Sequence, residues 1–156
     1  MIDASDLISR IKNKFGDVEV VQDKWGDVWV KGNLENFREL LAFLKGIGYS
    51  HLTTISAVDY IDENEFELIY HLAAFDDVEY RIPVNVRVRL PRDDAKVPSI
   101  LDIYPNALVY EREVFDLMGI VFEGHKGLKR ILLPEDTPVD FHPLRKDFKI
   151  KVGEEK

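Results

Sequence analysis

The sequence predicts a single α+β domain with the element order αββαβββα, in which helices pack on an antiparallel sheet and an extended C-terminal strap follows. Three observations support this prediction. The chain has 156 residues, of which 46% are hydrophobic, enough for one buried core. Helical and alternating apolar patterns follow one another between short polar turns. All seven prolines lie at Pro83 or later, so the chain becomes rich in loops and then extended.

The first predicted element is an amphipathic helix. Asp3 or Ser5 can cap its N-terminus, and Gly16 ends it. Its apolar residues recur at helical spacing, which places them on one face. These residues are Ala4, Leu7, Ile8, Ile11 and Phe15. The helix is therefore expected to pack against a sheet with that face.

A hairpin and a second helix are predicted next. Residues 18–30 form two short strands around a turn at residues 23–27. Asn33 is expected to cap the second helix, which ends near Gly46 and Gly48. The apolar face of this helix consists of Phe37, Leu40, Leu41, Leu44 and Ile47.

Three strand-like runs follow, over residues 51–61, 65–75 and 80–90, with polar turns at 62–64 and 76–77. The third run alternates, with Val84, Val86, Val88 and Leu90 on one face and Asn85, Arg87 and Arg89 on the other. Short turns between the runs predict an antiparallel meander.

A third helix is predicted over residues 107–118, with Asn106 as its cap and Gly119 as its stop. Its buried stripe is Ala107, Tyr110, Val114, Leu117, Met118 and Val121. No amphipathic period appears after Gly124. The α+β body is therefore assigned to residues 1–123, and residues 124–156 form the strap of the same domain.

Composition and charge exclude several classes of protein. There is no cysteine, which removes disulfides and thiolate metal sites, and a net charge of −8 argues against nucleic acid as a partner. No signal peptide or membrane span is predicted. Between Gly124 and Lys151 seven Lys and Arg stand against four Asp and Glu, a net charge of +3, which leaves −11 for the rest. The single Gln and the abundant Lys and Glu favour a thermophilic source.

The residues that could bind a metal or take part in catalysis lie in the strap and the third helix. One hypothesis is a small stand-alone metal-dependent enzyme, although the spacing of its acidic and histidine residues fits no metal motif. Its candidate ligands are Asp116, Glu123, His125, Asp136 and His142. The other interpretation is that these histidines are hydrogen-bonded or face a partner. A third possibility is a soluble acidic adaptor.

The third helix is crowded with charge at Glu111, Arg112, Glu113 and Asp116. Arg112 and Asp116 are spaced i,i+4 and can pair on a solvated face. The alternative is that the carboxylates anchor basic residues of the strap, namely Lys129, Arg130 or Arg145, or an arginine of another chain. Phe141, Leu144 and Phe148 are apolar anchors in the strap, which either docks on another protein or folds on its own domain.

The segments Tyr110–Asp136 and His142–Phe148 resemble the signature of the respiratory complex I 30-kDa subunit family, with E-R-E-x-F-D, G-I-x-F-x-G-H, L-x-R-I-L and P-L-R-K-D-F in order. This family includes the NADH:quinone oxidoreductase C subunit and related subunits of membrane-bound [NiFe] hydrogenases. The sequence departs from many members at Phe141, where they have tryptophan and glycine shortly before the last motif.

The resemblance implies a cofactor-free structural subunit of the hydrophilic arm of such a complex, without catalytic residues or a metal. It implies docking on the hydrogenase-like large subunit and the iron–sulfur small subunit, at the cytoplasmic face of the membrane, which the chain reaches only through its partners. When isolated, the chain is expected to have a mobile strap or to form a homo-oligomer through it.

The resemblance also assigns roles to residues at the interface with other subunits. Those expected to brace the base of the strap are Glu111, Arg112, Asp116, Gly119, Phe122, Gly124, His125, Leu128 and Arg130. Those expected to make docking contacts are Pro143, Leu144, Arg145, Lys146, Asp147 and Phe148, with Phe141 as the aromatic anchor.

Overall fold

The computed structural model describes residues 3–75, 81–151 and 153. Its elements, in chain order, are α1 (Ala4–Phe15), β1 (Glu19–Gln22), β2 (Val28–Gly32), α2 (Phe37–Gly46), β3 (His51–Tyr60), a 3-10 turn (Ile61–Glu63), β4 (Glu65–Ala73), β5 (Val84–Pro91), β6 (Lys96–Pro98), α3 (Ala107–Met118) and β7 (Val121–Glu123). The predicted α+β class and helix and strand order are confirmed, with two short strands added. The predicted turn at residues 76–77 lies outside the described residues.

The main sheet has five strands in the order β1-β2-β5-β4-β3. All its pairs are antiparallel except β2 with β5, which run parallel from Val28↔Val84 to Gly32↔Val88. The predicted antiparallel meander is confirmed for β3, β4 and β5, but the prediction of an antiparallel sheet is wrong at the pair β2–β5. The reason is that α2 returns the chain to the end where β2 began, so β3 and β5 both run in the direction of β2. A second, two-stranded parallel sheet joins β6 and β7.

The core lies between one face of the main sheet and the helices. As predicted, Val84, Val86, Val88 and Leu90 of β5 are buried on this face. The apolar faces of α1 and α2 supply Leu7 and Ile11, and Phe37, Leu40, Leu41 and Leu44. Area removed from water at these side chains is the main source of stability.

The helix ends differ from the predictions in two details. Asp3 caps α1 by accepting from the Asp6 N–H at 2.9 Å, as expected. Asn33 instead caps the turn before α2, because its side chain accepts from Glu35 N–H and Asn36 N–H and the helix begins at Phe37. Asn106 occupies the cap position of α3, but its side-chain Nδ2 donates to Leu52 O of β3.

Candidate functional site

The strap lies against the body of its own chain, where two ionic anchors hold it. The first anchor is the carboxylate of Asp116, which α3 places at 0% exposure. Its Oδ1 accepts from Arg130 Nη1 at 2.8 Å. Its Oδ2 accepts from three consecutive backbone N–H groups, those of residues 131–133, at 3.2, 2.8 and 2.9 Å. One buried carboxylate thus fixes both the side chain and the backbone at the base of the strap.

The charge state of Asp116 follows from these contacts. Burial by itself raises the pKa of Asp116, but the Arg130 guanidinium and the three backbone donors outweigh it and lower the pKa below its usual value. The carboxylate is therefore ionised at neutral pH. The hypothesis that a helix carboxylate anchors Arg130 in cis is confirmed here.

Arg112 has a different partner from the one predicted. Its Nε and Nη2 donate to the carbonyl oxygens of Lys129 and Arg130 at 3.1 and 2.8 Å. The predicted i,i+4 pair with Asp116 is therefore wrong, because the strap supplies other partners: two backbone carbonyls for Arg112 and the guanidinium of Arg130 for Asp116. His125 accepts from Gly127 N–H at Nδ1, so its Nε2 donates to Leu108 O, at 3.1 Å.

The second anchor joins the far end of the strap to the sheet. Asp59 lies on β3 and is 3% exposed. Its two carboxylate oxygens accept from Nε and Nη2 of Arg92 at 2.7 and 2.9 Å. Arg92 Nη2 also donates to Asp147 at 2.8 Å, and Lys146 N–H donates to Asp59 at 2.9 Å. Burial alone raises the pKa of Asp59, but Arg92 and the Lys146 N–H lower it below its usual value. The anchor is thus charged at neutral pH.

Between the two anchors the strap presses closely on the end of α3. Gly119 ends the helix with φ +76°, and a Cβ placed there comes within 2.6 Å of the His142 ring and 2.8 Å of Arg145 Nη2. Arg145 Nε donates to Met118 O at 2.7 Å, and its guanidinium carbon lies 5.2 Å from the centre of the Phe66 ring. Glycine at position 119 is therefore required both for backbone conformation and for space.

Glu111 is buried but does not anchor the strap. It is 0% exposed and accepts from Ser99 Oγ at 2.7 Å and from Ile100 N–H at 2.8 Å. Burial raises the pKa of Glu111 above its usual value, and these two hydrogen bonds counter the rise only in part. Its role is to fix the loop before α3, where β6 ends.

Replacing Glu111 with glutamine is expected to make the chain more stable at neutral pH. Because the pKa of Glu111 is higher in the folded chain than in the unfolded chain, stability falls as pH rises from about 4.5, its reference value, through the folded pKa. Glutamine keeps the shape, one acceptor and a donor toward Ser99 without a buried charge. Urea unfolding at pH 4 and pH 7 measures this difference.

The control for this prediction is Glu113→Gln, an exposed position two residues away. It leaves the contacts with Ser99 and Ile100 intact, so it should not make the chain more stable at pH 7. A Glu111→Gln chain that loses as much stability between pH 4 and pH 7 as the parent chain does would contradict the prediction.

The structure gives the metal hypothesis no site. Both carboxylate oxygens of Asp116 already accept hydrogen bonds, from Arg130 and from backbone N–H groups. His142 Nδ1 lies 3.2 Å from the backbone oxygen of Asp116 and does not contact its carboxylate. Within residues 3–75, 81–151 and 153, no three acidic or histidine side chains are grouped so that they could hold a metal ion.

The predicted interface residues divide into an inward and an outward set. The residues with contacts to their own body are Glu111, Arg112, Asp116, His125, Arg130, Arg145 and Asp147. Phe122 is buried in β7, and Leu128 packs on the core. Gly124 has open space around it, and Pro143 and Phe148 are half-buried. Lys146, Leu144 and Phe141 are exposed.

The outward surface of the strap is apolar and basic. Five of the eleven exposed large apolar side chains of the described chain lie in the strap, at Leu132, Val139, Phe141, Leu144 and Ile150. Phe141 and Phe148 form an edge-to-face pair with centroids 4.9 Å apart. Together with Ile150, Lys149 and Lys151, this pair lines an open pocket with a volume of about 570 Å³. A surface of this kind is typical of an interaction site.

Three residues of the site were not predicted from the sequence: Asp59, Arg92 and Ser99. A signal did exist for Asp59. Its position on β3 pairs with Phe66, so it lies on the same face of the sheet as buried apolar residues. A charge in such a position needs a partner. Nothing near Arg92 or Ser99 in the sequence indicates their long-range contacts.

The fold and the site define a small α+β domain whose basic C-terminal strap is held to its own third helix by buried charges. The family model of the respiratory-chain NADH dehydrogenase 30 Kd subunit matches residues 30–154, and the chain belongs to this family. The resemblance predicted from the strap and α3 is therefore confirmed over most of the chain.

Two relatives match nearly the whole chain. The C subunit of the F(420)H(2) dehydrogenase of Methanosarcina mazei is 33% identical over 94% of this chain and 92% of its own length. The C subunit of the NADH-quinone oxidoreductase of Moorella thermoacetica is 37% identical over 94% of this chain and 95% of its own length. Relatives of this chain thus include subunits of respiratory complexes that differ in electron donor.

Solved structures agree with this. A chain of the membrane-bound sulfane sulfur reductase, an archaeal respiratory membrane complex, superposes with a TM-score of 0.84 at 30% identity, over 94% of this chain and 85% of that one. The trypsin-resistant fragment (1-134) of Nqo5 gives a TM-score of 0.68 at 30% identity, over 80% of this chain and 98% of the fragment. Among the described residues there is no helix long and apolar enough to cross a membrane.

Proposed function

We propose that this chain is a cofactor-free, non-catalytic subunit of the hydrophilic arm of a membrane-bound, complex I-like oxidoreductase at the cytoplasmic face of the membrane. It docks on the hydrogenase-like large subunit and the iron–sulfur small subunit. Its family membership, and its similarity to subunits of an F(420)H(2) dehydrogenase, an NADH-quinone oxidoreductase and a sulfane sulfur reductase complex, support the kind of assembly.

One observation carries the proposal: the strap is held rigidly from within while its apolar side chains face outward. Asp116 and Asp59 fix the backbone on the inner side. Leu144 is 60% exposed and Ile150 is 82% exposed on the outer side. An extended segment that is already ordered loses little conformational entropy on binding. The strap is therefore suited to present an apolar surface to a neighbouring subunit.

The structure changes which strap residues are expected to touch the partner. The side chains of Arg145 and Asp147 are used within the chain, by Met118 O and Arg92. Leu144, Lys146 and Phe141 are left to make the direct contacts. In this proposal the inward residues set the shape of the strap, and the outward residues bind the neighbouring subunit.

The test is affinity purification of the tagged chain from its own organism in mild detergent, followed by mass spectrometry. A hydrogenase-like large subunit and an iron–sulfur subunit are expected in the membrane fraction. A chain that elutes alone contradicts the proposal, and partners found only in the soluble fraction favour an adaptor outside the respiratory membrane.

The variant Leu144→Asp is expected to abolish recovery of these subunits while the isolated chain keeps its unfolding midpoint. The physical reason is that a carboxylate at the centre of an apolar contact must lose its hydration shell without gaining a partner. Val21→Asp is the matched control, since Val21 is 50% exposed on β1, at the opposite edge of the sheet. Equal recovery with the two variants would rule out Leu144 as a docking residue.

A further inference from the structure

The free edge of the main sheet is a feature that docking of the strap does not explain. β3 is ten residues long, lies at the end of the sheet and, among the residues that the structure describes, pairs with β4 alone. In an edge strand every second residue directs its backbone N–H and C=O away from the sheet. Within the described chain, no backbone hydrogen bond from outside the sheet reaches residues 54–57.

Both ends of this edge are covered, but the middle is open. Near the start of β3, Asn106 Nδ2 donates to Leu52 O at 2.8 Å. Near its end the strap crosses, with Lys146 N–H donating to Asp59 at 2.9 Å. Between them lies a cleft of about 250 Å³ along Thr54–Ala57. Its other walls are Glu113, Leu117 and their neighbours on α3, and Leu144 of the strap.

We propose that this cleft receives a short extended segment of a partner subunit, which pairs with β3 as a sixth strand of the sheet. An edge strand beside a helix is the geometry in which proteins bind an extended peptide by main-chain hydrogen bonds. The open part of β3 is four residues long and spans roughly 13 Å, which suits a strand of about four residues. The inference rests on the proposed function, because it needs a partner subunit.

The walls of the cleft define the chemistry of the segment. Glu113 is exposed and forms no ion pair among the described residues, whereas Leu117 and Leu144 are apolar. The segment therefore carries a basic side chain toward Glu113 and an apolar one toward the leucines. A second copy of the chain fits less well, since each copy has a net charge of −8 and brings its own Glu113 to the contact.

The anchored strap also shapes the cleft. The Leu144 N–H donates to Leu117 O at 3.1 Å, and the adjacent Arg145 donates to Met118 O. These bonds hold Leu144 at the end of the cleft, so one side of this residue faces the cleft and the docking surface continues from it. The added strand and the strap would thus bind one continuous partner surface.

Hydrogen exchange measured on the isolated chain and on the co-purified complex tests the inference. The outward-facing amides of residues 54–57 should exchange rapidly in the isolated chain and at least about tenfold more slowly in the complex, while β4 amides remain protected in both. A complex that contains the partner subunits but leaves these amides unprotected overturns the added strand and leaves the proposed function intact.

Two other outcomes are also decisive. If the isolated chain already protects these amides, and protection increases with its concentration, the occupant is a second copy and the inference fails. A chain that co-purifies with no partner contradicts the proposed function itself, and with it the added strand.

A charge reversal supplies an independent readout. Glu113→Lys is expected to reduce recovery of the partner about tenfold, because a lysine then faces the basic side chain of the added strand. Glu39→Lys on α2 is the matched control, an exposed helical glutamate away from the cleft. Glu113→Lys should keep the unfolding midpoint of the parent chain. Glu39→Lys should lower it slightly, because Glu39 lies in the first turn of α2, where a negative charge is favoured. Equal recovery with the two variants would contradict the predicted chemistry of the segment.

Discussion

Replacing Asp116 with alanine is expected to lower the free energy of unfolding of the isolated chain by about 3 kcal/mol and to release the base of the strap. The change removes the charged partner of Arg130, whose side chain is only 9% exposed and keeps only the backbone oxygens of Asp116 and Pro138. It also leaves the N–H groups of residues 131–133 without their acceptor. Breaking a buried pair from one side is costly because the remaining charge stays desolvated.

The expected loss of unfolding free energy lies at the low end of the usual range for a broken buried ion pair. The strap lies at the surface, so its base can detach and return Arg130 and the three N–H groups to water. Detachment should itself be visible in trypsin digestion. The backbone at Lys129 and Arg130, whose carbonyl oxygens accept from Arg112 in the folded chain, is then free to enter the protease active site. Urea denaturation gives the free energy, and timed trypsin digestion gives the release of the strap.

Asp136→Ala is the matched control for this prediction, because Asp136 is an exposed aspartate of the same strap. It should change neither the unfolding midpoint nor the rate of cleavage. If Asp116→Ala and Asp136→Ala behave alike in both measurements, Asp116 is not the anchor of the strap.

The second large effect is expected from Gly119→Ala, which should destabilise the chain by roughly 2 to 3 kcal/mol. About 1 kcal/mol comes from the left-handed conformation, with φ +76°, that an L side chain rarely adopts. The rest comes from the new methyl group, which would lie 2.6 Å from the His142 ring and 2.8 Å from Arg145. Because both residues belong to the strap, the clash should displace it and reduce recovery of the partner subunits.

Gly124→Ala separates these two causes. Gly124 has an even larger positive φ of +85°, but no heavy atom lies within 4 Å of a Cβ placed there. This variant should lose only about 1 kcal/mol and should still assemble. If the two glycine variants lose the same stability and assemble equally well, close packing of the strap on α3 is unimportant.

These anchors give a physical explanation for the motif residues that carry the family resemblance. Asp116, Arg112 and Arg130 act within the chain, where they hold the strap to α3. Arg145 holds the strap to the end of α3, and Asp147 holds the far end of the strap to Arg92, which follows β5. In the proposed assembly the charged residues of the motif therefore hold the strap in place. The exposed Leu144 and Phe141 between them bind the neighbouring subunit.

Much of the fold was predictable because it depends on local patterns. The helical spacing of Leu7 and Ile11 and the alternation of Val84 through Leu90 specify which face is buried, and burial confirms both. The place of β5 in the sheet was not predictable. Its parallel pairing with β2 depends on where α2 returns the chain, which no local pattern records.

The α+β class, the buried faces of the helices and the extended, basic character of the strap could be predicted from the amino-acid sequence, since composition and periodicity act over a few residues. The partner of each charged side chain could not be predicted, because these pairs form between segments that are distant in the sequence. Arg92 is 33 residues from Asp59 and 55 from Asp147 along the chain, yet the three form one ionic cluster. A charged face on a helix looks solvated until another segment covers it, and for Asp116 that segment is the strap.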